Sequence, residues 1–198
     1  MYSGKSTMLV QKMERFYYAK KRILYVTPTL DTRGYTTHNL AYDVAERFGD
    51  RIKYMVVTDF STDIEDFKEF DDFDGIFVDE YFMIKNCIKL CDYVLQQPTT
   101  RHVDVYFAGL LADSDAKTWD EAVEILPYCD DIIKLQGVCS CEEGDLAPII
   151  GCGSQHGNYS GYLGGKKLSR IEVGDVKYAC LCRKCYMKLV NYHSNPSQ

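Results

Sequence analysis

Short apolar runs alternate with helix-period patterns along the first two thirds of the chain, and this alternation limits the possible folds more than any other feature. From Ser6 to Lys20, Leu9, Met13, Phe16 and Tyr17 recur at helical spacing, and Arg22 to Thr27 (RILYVT) then reads as a buried strand ended by Pro28. Further apolar runs at Tyr54–Val57, Ile76–Val78, Val103–Gly109 and Ile132–Leu135 are separated by helical patterns through Ile84, Cys87, Ile88, Cys91 and Val94 and through Trp119, Val123 and Leu126. Such an order predicts an α/β domain on a mainly parallel sheet. After Leu135 the character changes. Residues 137–165 are rich in glycine without a helical period, and Arg170–Val173 and Lys177–Cys180 read as short strands of a ribbon. The expected divisions are an α/β domain over 1–136, a smaller lobe over 137–190 and a loose polar tail over 191–198.

The chain has 198 residues, 46% hydrophobic and 26% charged, which suits one packed domain with an appendage. A net charge of −6 removes the general attraction to phosphate backbones, so nucleic acid is not expected as a partner. The longest uncharged apolar stretch, Val105 to Ala112, is far short of the ~20 residues a membrane span needs. No signal-type apolar run follows Met1, so a cytoplasmic protein without membrane contact is expected.

Gly4-Lys5-Ser6-Thr7 opens the first predicted helix, the place where backbone N–H groups and a helix N-terminus meet an anion and a lysine adds a point charge. Four residues of this kind carry little alone. About seventy residues on, Gly75-Ile-Phe-Val-Asp79-Glu80 is an apolar strand ending in two carboxylates, the arrangement that brings an aspartate to a phosphate-bound magnesium. Adjacent residues of an extended chain face opposite sides, so Asp79 can face the metal, held also by Ser6, while Glu80 faces an acceptor hydroxyl as base.

Nine cysteines is an odd number, and six of them (Cys139, Cys141, Cys152, Cys180, Cys182, Cys185) lie in the last third, which suits metal binding better than a disulfide framework. Cys182-Arg-Lys-Cys185 is a C-x-x-C knuckle, and Cys139-Ser-Cys141 precedes it by about forty residues, so four thiolates are available for one structural zinc. A redox C-x-x-C would follow a thioredoxin-type strand and needs no distant pair. Cys180 and Cys152 are spare candidates, because C-x-C is a tighter bite than the usual knuckle. Cys87, Cys91 and Cys129 read as small core hydrophobes, and His102, His156 and His193 as surface or hydrogen-bonded side chains.

Taken together, these motifs resemble the zinc-containing thymidine kinase family of cellular and poxviral type, whose loop reads GPMFSGKS in many members; here MYSGKST matches from its methionine on. Asp31-Thr-Arg33 is similar to that family's DTR, Thr37-His38 to its TH or SH, and Phe107-Ala-Gly-Leu110 to its AGLD strand. Lys134-Leu-Gln-Gly-Val-Cys139 is similar to its KLTAVC, and Lys177-Tyr178 with Cys182-Arg-Lys-Cys185 to its KY…CRxC. The resemblance implies a P-loop NTPase-like sheet with a small C-terminal zinc-binding lobe, and transfer of the ATP γ-phosphate to the 5′-hydroxyl of thymidine. It implies Ser3, Gly4, Lys5, Ser6, Thr7 and Arg33 around the phosphates, Ser6 and Asp79 on Mg2+, and Glu80 as base. It places Met83, Leu110 and Tyr178 at the nucleoside, Zn2+ on Cys139, Cys141, Cys182 and Cys185, a lasso-like loop over 151–176, and a homotetramer.

Departures from the family concentrate where the base binds. Phe82 falls where the family has glutamine, Met83 where it has a stacking aromatic, Leu111 at an aspartate and Ser114 at a phenylalanine. Glu142 stands where the second cysteine of the first knuckle falls, which leaves Cys141 to substitute. The first glycine of the phosphate loop and the strand leading into it fall before Met1, so a gap in the sheet and weak ATP binding by the chain as written are expected. Three functions follow from these residues: a deoxynucleoside kinase, with thymidine or an altered base; an inactive descendant serving as a zinc-stabilised oligomeric binding protein; and a P-loop ATPase without an acceptor, which leaves Tyr178 and the zinc lobe unexplained.

Overall fold

Leu24 and Val26 face one side of the first strand and Ile23 and Tyr25 the other, and all four are buried, as in a strand covered on both faces. In the computed structural model, which describes residues 3–31, 47–60, 64–139, 152–163, 167, 169–171 and 178–194, the chain divides into two compact units. The first holds Lys5–Leu111 and Trp119–Ile132; the second holds Ala112–Thr118 and Ile133–Gln198 together with Met1–Gly4. The segment 112–118 thus goes with the cysteine-bearing unit.

The first unit runs α1 (Lys5–Tyr18), β1 (Ile23–Pro28), β2 (Ile52–Val57), β3 (Gly75–Asp79), α2 (Cys87–Leu95), β4 (Asp104–Ala108) and α3 (Asp120–Ile125), with short 3-10 turns at Gly49–Arg51, Ile64–Asp72, Tyr81–Met83 and Leu126–Tyr128. All four strands are parallel, in the order β2-β1-β3-β4. β3 is hydrogen-bonded on both sides, to β1 and to β4. A parallel sheet gathers ligand-binding groups at the carboxyl ends of its strands, where Thr27, Asp79 and Ala108 lie.

Leu9, Met13 and Phe16 form one stripe of α1 and are buried with Ile23, Tyr25, Phe48 and Phe77 in a single cluster. Phe16 meets Phe77 edge to face at 5.4 Å. This close approach depends on Gly75, where a Cβ would stand 2.6 Å from the Phe16 ring. The helix ends on Lys20 at φ 60°, with Lys21 N–H donating to Phe16 O and Lys20 N–H to Tyr17 O, a Schellman arrangement built without glycine.

In the second unit β5 (Tyr159–Tyr162) pairs antiparallel with β6 (Tyr178–Leu181), and α4 (Arg183–Ser194) packs on the ribbon. Among the described residues β6 takes its partner from the earlier tyrosine-rich segment; Arg170 lies in a bend, and 172–173 of the expected strand lie outside the described residues. Ile132–Leu135 does not form a strand: Ile132 and Ile133 are 66% and 57% exposed, and among the described residues no strand pairs with them. Two apolar residues between Asp131 and Lys134 are too few to bury a strand. Asn191–Ser194 complete α4 instead of belonging to a loose tail, while 195–198 lie outside the described residues. The core of this unit is Cys139, Ala179, Leu181, Cys185, Tyr186 and Leu189.

Candidate functional site

β3 is apolar up to its last residue, so it buries Ile76, Phe77 and Val78 completely and leaves Asp79 half-buried at the strand end. The chain then turns sharply, because Glu80 adopts a left-handed conformation at φ 47°, ψ 44°, and its N–H donates back to Asp79 Oδ1 at 3.0 Å. A non-glycine residue held there is a strained position of the kind that gathers at functional sites. The turn brings the Glu80 carboxylate to Lys5, the first residue of α1, with Nζ 3.1 Å from Oε2; both side chains are mostly buried. Gly4, just before the helix, has φ +79°, a value that favours glycine.

Asp79 is the most perturbed carboxyl of the cluster. Burial foremost, and then the Glu80 charge, push it up to about 6 against the opposing pull of Lys5, the Glu80 amide and Tyr25. The Tyr25 hydroxyl donates to Asp79 Oδ2 at 3.1 Å, so both carboxylate oxygens are held. A mostly buried lysine at a helix start, a half-buried aspartate at a strand end and a second carboxylate beside it can bind a phosphate chain with a divalent cation and accept a proton.

In the second unit, Cys139, Cys152, Cys182 and Cys185 gather so that their sulfurs all lie within 4.8 Å of one another. Four thiolates around tetrahedral zinc stand ~3.8 Å apart, given Zn–S bonds of about 2.3 Å, and Cys152 and Cys182 are already at 3.5 Å. The set therefore fits a zinc ion. Two short backbone links build the site: Cys139 N–H donates to Ser154 O at 2.7 Å, and Gly153 N–H, at φ +65°, returns to Cys139 O at 3.1 Å. The Cys185 amide draws the Cys182 thiol down to about 7, and burial pushes Cys185 up to about 12. Cys180 is outside this group; its buried thiol donates to Gly157 O.

The thymidine kinase profile matches residues 1–186 of the sequence. The chain belongs to the thymidine kinase family. It is similar to the thymidine kinase of Pseudothermotoga lettingae, 26% identical over 200 residues covering 96% of this chain and 92% of that protein. The thymidine kinase of Mycoplasma mobile is 26% identical over 95% of this chain and 84% of its own length. That of raccoon poxvirus is 25% identical over 94% and 92%.

Of the residues that family membership points to, the structure brings Lys5, Asp79 and Glu80 together at the strand and helix ends, with Ser6 half-buried and Thr7 exposed in the same first turn of α1. Met83 and Leu110 are both half-buried in the same unit. Met83 closes the turn that begins at Tyr81, and Leu110 O accepts the Tyr81 hydroxyl at 3.2 Å. Tyr178 opens β6 in the other unit, its ring 5.4 Å from that of Tyr162. Arg33, Thr37, His38 and Cys141 lie outside the described residues, as does most of 164–177. Among the described residues no helix is long and apolar enough to cross a membrane.

Tyr25 and Asp113 are two further residues that motif and spacing do not single out. Tyr25 carried one overlooked signal, a hydroxyl in the middle of an otherwise apolar buried strand, which must find a partner. Asp113 is buried; its Oδ1 accepts the N–H groups of Asp115 and Lys117, and its Oδ2 takes Arg170 Nε at 2.7 Å. Lys167 Nζ donates to Ser114 Oγ at 2.7 Å, so the segment 113–117 is tied to 167 and 170 within one unit.

Proposed function

We propose that the chain transfers the γ-phosphate of ATP to the 5′-hydroxyl of a deoxynucleoside, with thymidine as the first candidate. The observation that carries this reading is the meeting of Lys5 with Glu80 beside Asp79, which joins the two halves of a phosphoryl-transfer site separated by 75 positions. Magnesium, held by Ser6 and Asp79, would neutralise charge developing on the phosphates. Lys5 leaves Glu80 to donate to the phosphate oxygens, and Glu80, released from Lys5, accepts the proton of the acceptor hydroxyl. The oxygen–phosphorus bond to the nucleoside forms as the bond to the β-phosphate breaks, and ADP leaves. Arg33 joins the phosphates, the segment 151–176 closes over the nucleoside, and Tyr178 contacts it. Cys139, Cys152, Cys182 and Cys185 hold a structural zinc. Support for a cytoplasmic homotetramer comes from the family alone.

A changed base preference is the second reading, and Phe82 favours it. This side chain is buried and stacks on Trp119 at 5.0 Å, so it offers no hydrogen bond to a base edge. The deciding experiment is transfer of labelled phosphate from ATP to thymidine, deoxyuridine and deoxycytidine with magnesium, beside Glu80→Gln. Transfer that the variant loses establishes the kinase and its base. A folded, zinc-loaded protein that phosphorylates none of the three would instead be an inactive descendant that binds without turnover.

A further inference from the structure

We infer that Tyr25 is a positioning residue for the metal-facing carboxylate of the kinase, its hydroxyl fixing the orientation of Asp79. The inference rests on the reading of Asp79 as the carboxylate that meets magnesium. Tyr25 sits in the middle of β1, level with Phe77 of β3 on one side and Tyr54 of β2 on the other. It is 2% exposed, and its ring belongs to the cluster that seats Leu9, Met13 and Phe16 of α1.

A phenylalanine would fill that volume equally well, and it would spare the chain a buried hydroxyl that must be hydrogen-bonded. The hydroxyl goes to Asp79 Oδ2 at 3.1 Å, while the Glu80 amide takes Oδ1 at 3.0 Å. With one donor on each oxygen, rotation of the carboxylate about its terminal torsion is stopped, and the second lone pair of each oxygen keeps a fixed direction. The phenol hydroxyl carries the proton of this pair, so it donates and the carboxylate oxygen accepts. The ring is fixed by the same cluster that fixes α1, and α1 begins at Lys5 and Ser6. Tyr25 therefore links the carboxylate side of the site to the helix that carries the phosphate side.

Partners one step removed from a metal typically change its affinity about 10–100-fold when lost. The test is a Mn2+ titration followed by electron paramagnetic resonance, in the presence of a non-hydrolysable ATP analogue, on the wild type, Tyr25→Phe, Asp79→Asn and the double variant. Tyr25→Phe should weaken Mn2+ binding about tenfold, lose nothing further in the Asp79→Asn background, and recover its turnover when magnesium is raised, with the nucleoside KM unchanged. A hydroxyl that only stabilises the fold would lower the melting temperature and leave the metal titration alone; that result overturns the inference while the role of Asp79 stands. If Asp79→Asn itself leaves Mn2+ binding intact, the metal reading of Asp79 fails and the role of Tyr25 fails with it.

Discussion

Lys5 and Glu80, which the proposed reaction would set to hold phosphate and to take a proton, pair with each other at 3.1 Å, so on that reading ATP must separate them before either acts. Glu80→Gln keeps the shape and a hydrogen bond to Lys5 but removes the basicity; kcat should fall about 10²–10⁴-fold, with the KM for ATP little changed, in steady-state phosphate transfer. A KM effect without a kcat effect would make Glu80 a binding residue instead of a base. Lys5, Asp79 and Glu80 were legible in the sequence because each chemistry needs its residue type at a fixed place, at a helix start or a strand end. Tyr25 was not, because nothing in a linear string shows that the hydroxyl of one strand reaches the carboxylate of its neighbour. Cys152 stayed a spare candidate for a similar reason: the turn through Gly153 that folds it back on Cys139 has no spacing signature of its own.

Each element is closed by local contacts that can be altered one at a time. Lys20 ends α1 in the left-handed region, where a Cβ is disfavoured by roughly 1–2 kcal/mol. Lys20→Gly should therefore stabilise the protein by about 0.5–1 kcal/mol, read as a melting temperature about 2–4 °C higher. In the segment 112–118, burial raises the Asp113 carboxyl, but Arg170 and the amides of Lys117 and Asp115 more than offset this and hold it below the usual carboxylate value. A depressed carboxyl adds stability above its unfolded value of about 3.9, and that stability disappears as pH falls through the folded value. The melting temperature of Asp113→Asn should thus lie well below wild type at pH 7, with the gap closing below about pH 4; a gap that stays constant with pH would show that the charge of Asp113 contributes nothing. The positions of the four sheet strands could be read from short apolar runs, but Ile132–Leu135 shows the limit of that reading. Periodicity reports that a run is apolar and says nothing of whether a strand lies beside it to pair with.

Across the molecule, the two units differ in what sustains them. The sheet unit buries a wide apolar core on both faces of its strands, whereas the core of the other unit includes Cys139 and Cys185, two of the four thiols of the metal site. A core that small needs a staple, and on the proposed zinc reading the ion would supply it at the centre. One zinc per chain is expected by metal analysis. Cys152→Ser should lose it, and Cys141→Ser should keep it; the reverse pattern would restore the ligand set first read from the sequence. Chelation offers a sharper test, because the only tryptophan, Trp119, is buried in the sheet unit against Phe82 and reports on that unit alone. Removing the metal should collapse amide hydrogen-exchange protection across 178–194 while Trp119 emission holds, followed on heating by a separate later transition of the sheet unit. If emission and protection are lost together on chelation, the two units fold as one cooperative body and the zinc supports the kinase site as directly as it supports its own lobe.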